Sequence, residues 1–298
     1  MGTRAGAPGA ATAWYGFAMD IGGATPSRRA GGPRIAGILN VTEDSFSDGG
    51  RWLDPDRAAE RAVELVEQGA DVVDLGAASS RPDARPVPAT EEIRRLDAVL
   101  ARLRVRGIPI SIDTFSTETQ RWALERDVAW LNDVRGFPDP VLDPLLARAR
   151  CGLIVMHSVQ RDGPATRVDT DPEQVLRGID AFFEDRIARL EAAGVSRSRI
   201  VLDPGMGFFL GRDPVLSLRV LRRIPALRER FGLPVLVSVS RKSFLGQVSG
   251  RKVGERGAAT LATELWAAAR GVDWIRTHDV AALRDGLLLW KAAETAPD

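Results

Sequence analysis

The chain has 298 residues, 44% of them apolar and 27% charged, with 29 Gly, 18 Pro and a single Cys; these fractions exclude a disordered chain and a collagen-like fibre. Its 41 basic and 40 acidic residues leave a net charge of +1, which argues against a protein that coats a polyanion. Cys151 has no partner for an intrachain disulfide, and no apolar stretch approaches the roughly 18 residues of a membrane span. The expectation is a soluble, cytoplasmic protein with no nucleic-acid or membrane partner.

Residues 1 to about 33 are rich in Gly, Ala, Pro and Ser without periodicity, and no signal-peptide core follows Arg4. They read as a loose N-terminal extension, with one folded domain over residues 34–298. From Arg34 a pattern repeats. The apolar run Ile35–Leu39 is followed by a helical segment that Asp54-Pro55 opens and Gly69 closes. Val72–Leu75 precedes a helix opened by Thr90-Glu91-Glu92 and stopped by Gly107. Ile108–Ile112 and Ala129–Leu131 are each followed by a short helix, near Ser116–Arg126 and Pro140–Ala149. Leu153–Met156 leads to a long amphipathic helix from Asp171-Pro172 to Gly194, and Ile200–Leu202 to another from Asp213-Pro214 to Gly232. Val235–Val239 and Trp274–Ile275 are followed by helices over Glu255–Ala269 and Ala281–Ala293. Apolar runs without strict alternation suit strands buried on both faces. Eight βα units in series predict a single α/β domain, a (β/α)8 TIM barrel. A doubly wound open sheet is the alternative, but no G-x-G-x-x-G turn follows the first strand.

In such a barrel the chemistry sits at the C-terminal strand ends. In chain order these ends carry Asn40, Ser79-Ser80-Arg81, Asp113, Asn132-Asp133, His157, Asp203-Pro204-Gly205, Ser240-Arg241-Lys242-Ser243 and Arg276-Thr277-His278-Asp279. Both histidines of the chain and one of its three lysines fall there. No Ser-His-Asp or Cys-His nucleophile is among them. Arg81, Arg276, His278 and Asn40 suit an anion pocket in which Mg²⁺ joins an amide oxygen to phosphate oxygens. Asp113, Asn132, Asp203 and Lys242 suit the donor and acceptor edges of a flat heterocycle. Ser243, where a helix could start, offers N–H groups to a second anion.

These residues resemble the signatures of dihydropteroate synthases. The stretch Asn40-Val41-Thr42…Asp44-Ser45-Phe46-Ser47-Asp48-Gly49-Gly50 resembles the N-terminal one; Asp203-Pro204-Gly205-x-Gly207-Phe208, Ser240-Arg241-Lys242-Ser243-Phe244 and Arg276-x-His278-Asp279 resemble three more, in family order from about Ile35 to Leu289. The resemblance implies an enzyme of folate synthesis that joins p-aminobenzoate to 6-hydroxymethyl-7,8-dihydropterin pyrophosphate, with Mg²⁺. It implies Asn40 on Mg²⁺ and pyrophosphate, Arg276 and His278 on the same leaving group, and Asp113, Asn132, Asp203 and Lys242 on the pterin. Asn40, Asp113, Lys242, Arg276 and His278 would then be the catalytic set, with Ser80, Arg81, Phe208 and Ser243 shaping the p-aminobenzoate site. A methyltetrahydrofolate methyltransferase and a non-catalytic pterin-binding paralogue are the alternatives.

The chain departs from the family where Glu43 stands in place of the usual Pro and where the second loop reads Ala78-Ser79-Ser80-Arg81-Pro82-Asp83. With Gly136-Phe137-Pro138, His157-Ser158-Val159-Gln160 and Phe208-Phe209-Leu210-Gly211, this wording is similar to the sulfonamide-resistant branch carried on mobile elements. A sulfonamide extends beyond the acidic end of p-aminobenzoate, so a bulky side chain there rejects the drug and spares the substrate; Phe137 is the candidate wedge. Three readings stay open: His157 as a ligand or a structural histidine, Arg81 as a ligand or the partner of Asp83, and Leu287-Leu288-Leu289-Trp290 as part of a homodimer interface or of the barrel's packing.

Overall fold

The computed structural model describes residues 32–42, 53–160 and 163–296. Most of the first-loop signature, residues 43–50, and residues 1–31 of the expected extension lie outside the described residues. Eight parallel strands, β1 (Arg34–Asn40), β2 (Val72–Gly76), β3 (Ile110–Asp113), β4 (Trp130–Asp133), β5 (Gly152–Met156), β6 (Ile200–Asp203), β7 (Leu236–Val237) and β8 (Trp274–Thr277), pair in the order β6-β5-β4-β3-β2-β1-β8-β7. A parallel bridge between Leu202 and Val235 brings β6 against β7 and closes the ring. The expected (β/α)8 barrel is what the chain forms.

Single helices follow the first five strands: α1 (Pro55–Glu67), α2 (Ala89–Leu103), α3 (Thr117–Leu124), α4 (Asp143–Arg148) and α5 (Pro172–Ala192). Then come α6 (Pro214–Arg222) and α7 (Ile224–Phe231) after β6, α8 (Ser243–Ser249) and α9 (Gly257–Ala269) after β7, and α10 (Val280–Thr295) after β8. Asp54, Asp171 and Asp213 each cap a helix by accepting from N–H groups of its first turn, with proline at the first helical position. The segment expected as one helix from Asp213-Pro214 to Gly232 is two. Pro225 supplies no N–H to the hydrogen-bond ladder, and the chain restarts at Ile224.

The cores divide by strand parity. Ile35, Leu39, Val73, Leu75 and Ile112 point outward into the layer beneath the helices. Ala36, Val72, Trp130, Ile154, Val201, Leu236 and Trp274 fill the barrel itself, where Trp130 and Trp274 meet edge to face at 5.1 Å between ring centroids. Gly152 makes room for this pair, because a Cβ there would overlap the Trp130 ring. On the same inward parity, towards the C-terminal ends, side chains turn polar: Asn40 is in register with Gly76, Gly76 with Asp113, and Asp113 with Asn132. The barrel thus carries an apolar plug at one end and a ring of amides and charges at the other.

Candidate active site

Five expected site residues, Asn40, Asp113, Asn132, Asp203 and Arg276, lie within the strands and not in the loops beyond them. Their backbones are fixed by the sheet, so their side chains are held on rigid supports. At the centre, Arg276 donates through Nη2 to Oδ2 of Asp113 at 2.7 Å and through Nε to Asp74. Asn132 donates to the same Asp74 oxygen at 3.3 Å. A buried carboxylate, Asp74, and a half-buried one, Asp113, thus share one guanidinium. Burial pushes Asp113 up to about 7, against the pull of Arg276, and the charge of Asp74 adds to the rise.

A second pair stands beside the first. Burial raises Asp203 to about 6, opposed by Lys242 and by the N–H of Gly205, which donates to Oδ1 at 2.8 Å. Burial also lowers Lys242 to about 8 against the opposing pull of Asp203, and its Nζ lies 4.5 Å from the Phe209 ring centroid. The loop that presents Lys242 is strained: Arg241 adopts φ of 59°. It is braced by Arg256, whose Nη1 donates to the carbonyls of Arg241 and Lys242 at 3.0 and 3.3 Å, and by Thr260, which accepts from the Arg241 N–H at 3.1 Å.

His278 follows β8. Its Nδ1 meets Ser240 Oγ at 2.9 Å, and its backbone N–H donates to the same oxygen at 3.2 Å. Burial first, and then the charges of Arg241, Arg276, Arg81 and Lys242, lower its pKa well below the usual range, so the imidazole is neutral. The influence of Arg81 on both Lys242 and His278 places that guanidinium at the same mouth, while Asp83 pairs with Arg167. Ser80 accepts from Ala165 through its carbonyl at 2.9 Å. Gly207 lies close to both Lys242 and Ser243. Its neighbour Phe208 is half-buried, with Arg167 over its ring. The loops after β6 and β7 therefore meet.

The structure corrects the assignment of Phe137. Its side chain is fully buried in the apolar layer that also holds Phe183, Leu142 and Leu146, so it offers a ligand no surface. The carboxylate of Asp133 accepts from the N–H groups of Arg135 and Phe137, both at 2.8 Å, and winds the loop so that Phe137 turns inward with φ of 60°. Arg186 and Arg189 of α5 hold the carbonyls of Gly136 and Phe137. His157 is likewise enclosed. Its ring bonds the carbonyl of Pro204 and packs edge-on against Phe182, and burial lowers it to about 4.

Residues 36–278 match the model of the pterin binding enzyme family. The chain is 56% identical over 263 residues to the type-2 dihydropteroate synthase of Escherichia coli, covering 88% of this chain and 97% of the relative. It is 53% identical over 259 residues to the type-3 enzyme of the same organism, covering 87% and 98%. The chain belongs to the dihydropteroate synthase family. A solved member, the Xanthomonas albilineans enzyme in complex with 7,8-dihydropteroate, superposes with a TM-score of 0.77 at 35% identity, covering 93% of this chain and 99% of that one.

Within this family barrel, the site residue that strand ends alone do not reveal is Asp74. It lies inside the run Val72–Leu75, where it reads as one more strand position. The available signal was its type and parity: a carboxylate in the middle of a strand buried on both faces needs a cationic partner, and its inward parity points to the mouth. Arg276 is that partner. Among the described residues no group of three or more His, Cys, Asp and Glu side chains is arranged to hold a metal ion, and no helix is long and apolar enough to cross a membrane.

Proposed function

We propose that the polar end of the barrel carries out the family reaction with this division of labour: Asp113, Asn132, Asp203 and Lys242 hold 6-hydroxymethyl-7,8-dihydropterin pyrophosphate by its ring. Asn40, Arg276 and His278 hold its diphosphate, and Ser80, Arg81, Phe208 and Ser243 frame p-aminobenzoate. The observation that carries the reading is the pair of carboxylates Asp113 and Asp203, half-buried and buried beside Arg276 and Lys242. Such a site matches a substrate that separates charge as it reacts. The C–O bond at the pterin methylene breaks, with both electrons leaving on pyrophosphate. The cation spreads into the ring beside Asp113 and Asp203, while Arg276 and a neutral His278 N–H meet the developing anion. The amine of p-aminobenzoate attacks the methylene carbon and releases a proton, giving 7,8-dihydropteroate. No covalent enzyme intermediate is required.

Mg²⁺ fits as an ion carried by the substrate. Asn40 offers one amide oxygen at the mouth, close to the backbone of Gly76, and a hard cation with this preference completes its shell with phosphate oxygens and water. Bound there it would neutralise charge on the leaving group. The direct test of the whole reading is pyrophosphate release from the pterin substrate and p-aminobenzoate in Mg²⁺ buffer; folded protein that releases none overturns it.

Insensitivity to sulfonamides is the finer reading. It is supported by the wording of the loops at the p-aminobenzoate end and by the bulk of Phe208 among them. Turnover that survives sulfamethoxazole well above the p-aminobenzoate concentration is the expected result, and inhibition at low drug overturns it. The same reading places the enzyme in the cytoplasm as a homodimer. Leu288, Leu289 and Trp290 of α10 are 53%, 73% and 44% exposed, whereas Leu287 packs inward. Sedimentation at micromolar concentration distinguishes dimer from monomer.

A further inference from the structure

The chain between β5 and α5 is bonded at several points to two other loops, the one after β2 and the one after β6. On the β2 side, the Ala165 N–H donates to the carbonyl of Ser80 at 2.9 Å, and Arg167 pairs with Asp83. On the β6 side, Gln160 Nε2 donates to the carbonyl of Phe208 at 3.3 Å. Arg212 donates through Nε to the carbonyl of Arg167 at 2.9 Å. This segment is a strap that ties together the two loops expected to frame p-aminobenzoate.

The ties converge on one side chain. Phe208 packs against a small apolar cluster of Val134, Met156, Ala165 and Phe209, of which Ala165 belongs to the strap. The Arg167 guanidinium lies 5.5 Å from the centroid of the Phe208 ring. Asp83 holds that guanidinium from the other loop. Asp83 itself adopts φ of 65°, in the left-handed region where glycine costs least. What the position gains by carrying a carboxylate is its pairing with Arg167.

A side chain that rejects a ligand by bulk is only as strict as whatever keeps it in place. A phenylalanine with room to swing admits an oversized ligand for the cost of one off-rotamer turn, about two- to tenfold in affinity. We propose that Arg167 is a positioning residue for specificity: it braces the Phe208 ring from the strap and from Asp83, so that the ring does not yield to a sulfonamide reaching past the end of p-aminobenzoate. The proposal rests on the reading of Phe208 as the side chain that rejects the drug.

The test compares Arg167→Met, which keeps the apolar stem and removes the guanidinium, with Arg167→Lys, which keeps a cation for both the ring and Asp83. In Arg167→Met the inhibition constant for sulfamethoxazole should fall about fivefold, while the KM for p-aminobenzoate stays within about twofold. Arg167→Lys should stay near wild type in both. In a Phe208→Ala background, Arg167→Met should have no further effect on inhibition, since the ring it acts through is gone. Equal changes in the inhibition constant and the KM, or a drug effect that persists without the Phe208 ring, overturn the proposal. Unaltered inhibition in Arg167→Met overturns it too when Phe208→Ala tightens the drug. If Phe208→Ala itself leaves inhibition unaltered, the reading of Phe208 falls instead, and backbone amide exchange of the ligand-free enzyme tests the brace separately. Faster exchange over residues 204–212 in Arg167→Met than in Arg167→Lys supports the brace, and equal rates overturn it.

Discussion

Arg276 Nη2 lies 2.7 Å from Asp113 Oδ2, and the same guanidinium also bonds Asp74. One cation facing two carboxylates in a desolvated site leaves that cluster with more negative charge than it can easily hold. Burial first, and then the like charge of Asp74, hold Asp113 at about 7 against the pull of Arg276, and not in the usual carboxylate range. An incoming pterin that becomes cationic during the reaction supplies the charge this cluster lacks.

Removing Asp74 should therefore change the titration of Asp113. Asp74→Asn deletes a like charge and gives Asp113 the undivided guanidinium, so its pKa falls. The acid limb of kcat/KM for the pterin substrate should move to lower pH by about one unit, equivalent to ~1.4 kcal/mol. An acid limb that stays in place would show that Asp113 does not feel Asp74.

The wild-type profile should be a bell. Asp113, raised to about 7, and Asp203, raised to about 6, carry the charge a cationic pterin needs only above those values, so activity falls as pH drops through 7 and more steeply below 6. Lys242, lowered to about 8, holds its proton below that value and loses it above, so activity falls again as pH rises. Lys242→Arg keeps a cation that cannot be titrated here and should flatten the alkaline limb, whatever its cost in rate. Measuring kcat/KM for the pterin substrate from pH 5 to 10 decides the matter, since a flat wild-type profile contradicts these assignments.

How much of this could be read from the sequence depended on where a polar residue stands. Asn40, Asp113, Asn132, Asp203 and Arg276 each interrupt an apolar run at its C-terminal end, and the barrel topology turns that position into a mouth. Asp74 sits within its run, where periodicity hides a charge. The buried Glu264 of α9 was hidden in a helix, where a carboxylate reads as a solvated face until packing encloses it. Phe137 misled for the opposite reason. Gly-Phe-Pro has the composition of an exposed loop, and only the capping of two N–H groups by Asp133 turns the ring inward.

The burial of Phe137 reverses what its truncation should do. Phe137→Ala empties a fully buried position and should cost about 3–5 kcal/mol of stability. The KM for p-aminobenzoate and the inhibition constant for sulfamethoxazole should both stay within about twofold, a difference of under ~0.5 kcal/mol. Phe208, half-buried next to Gly207, which itself lies close to Ser243, is the residue whose truncation should tighten drug binding more than it alters the KM for p-aminobenzoate. Urea melts and inhibition titrations on the two variants separate these roles; tighter drug binding in Phe137→Ala would return that residue to the pocket.

Glu264, 1% exposed in α9, leaves a mark on stability that depends on pH. Burial raises its folded-state value to about 8, above the usual 4.5. Below pH 4.5 the group is protonated in both folded and unfolded chains and has no effect on their balance. Between 4.5 and 8 the unfolded chain releases the proton and the folded chain keeps it, so stability declines as pH rises, and the decline ends above 8. Three units or so of displacement in a group this enclosed amounts to a few kcal/mol. Glu264→Gln has no proton to release, so relative to wild type it should gain stability steadily from pH 5 to pH 8. Urea unfolding of both proteins across that range measures the gain. A difference that does not vary with pH would mean that Glu264 is ionised in the folded enzyme.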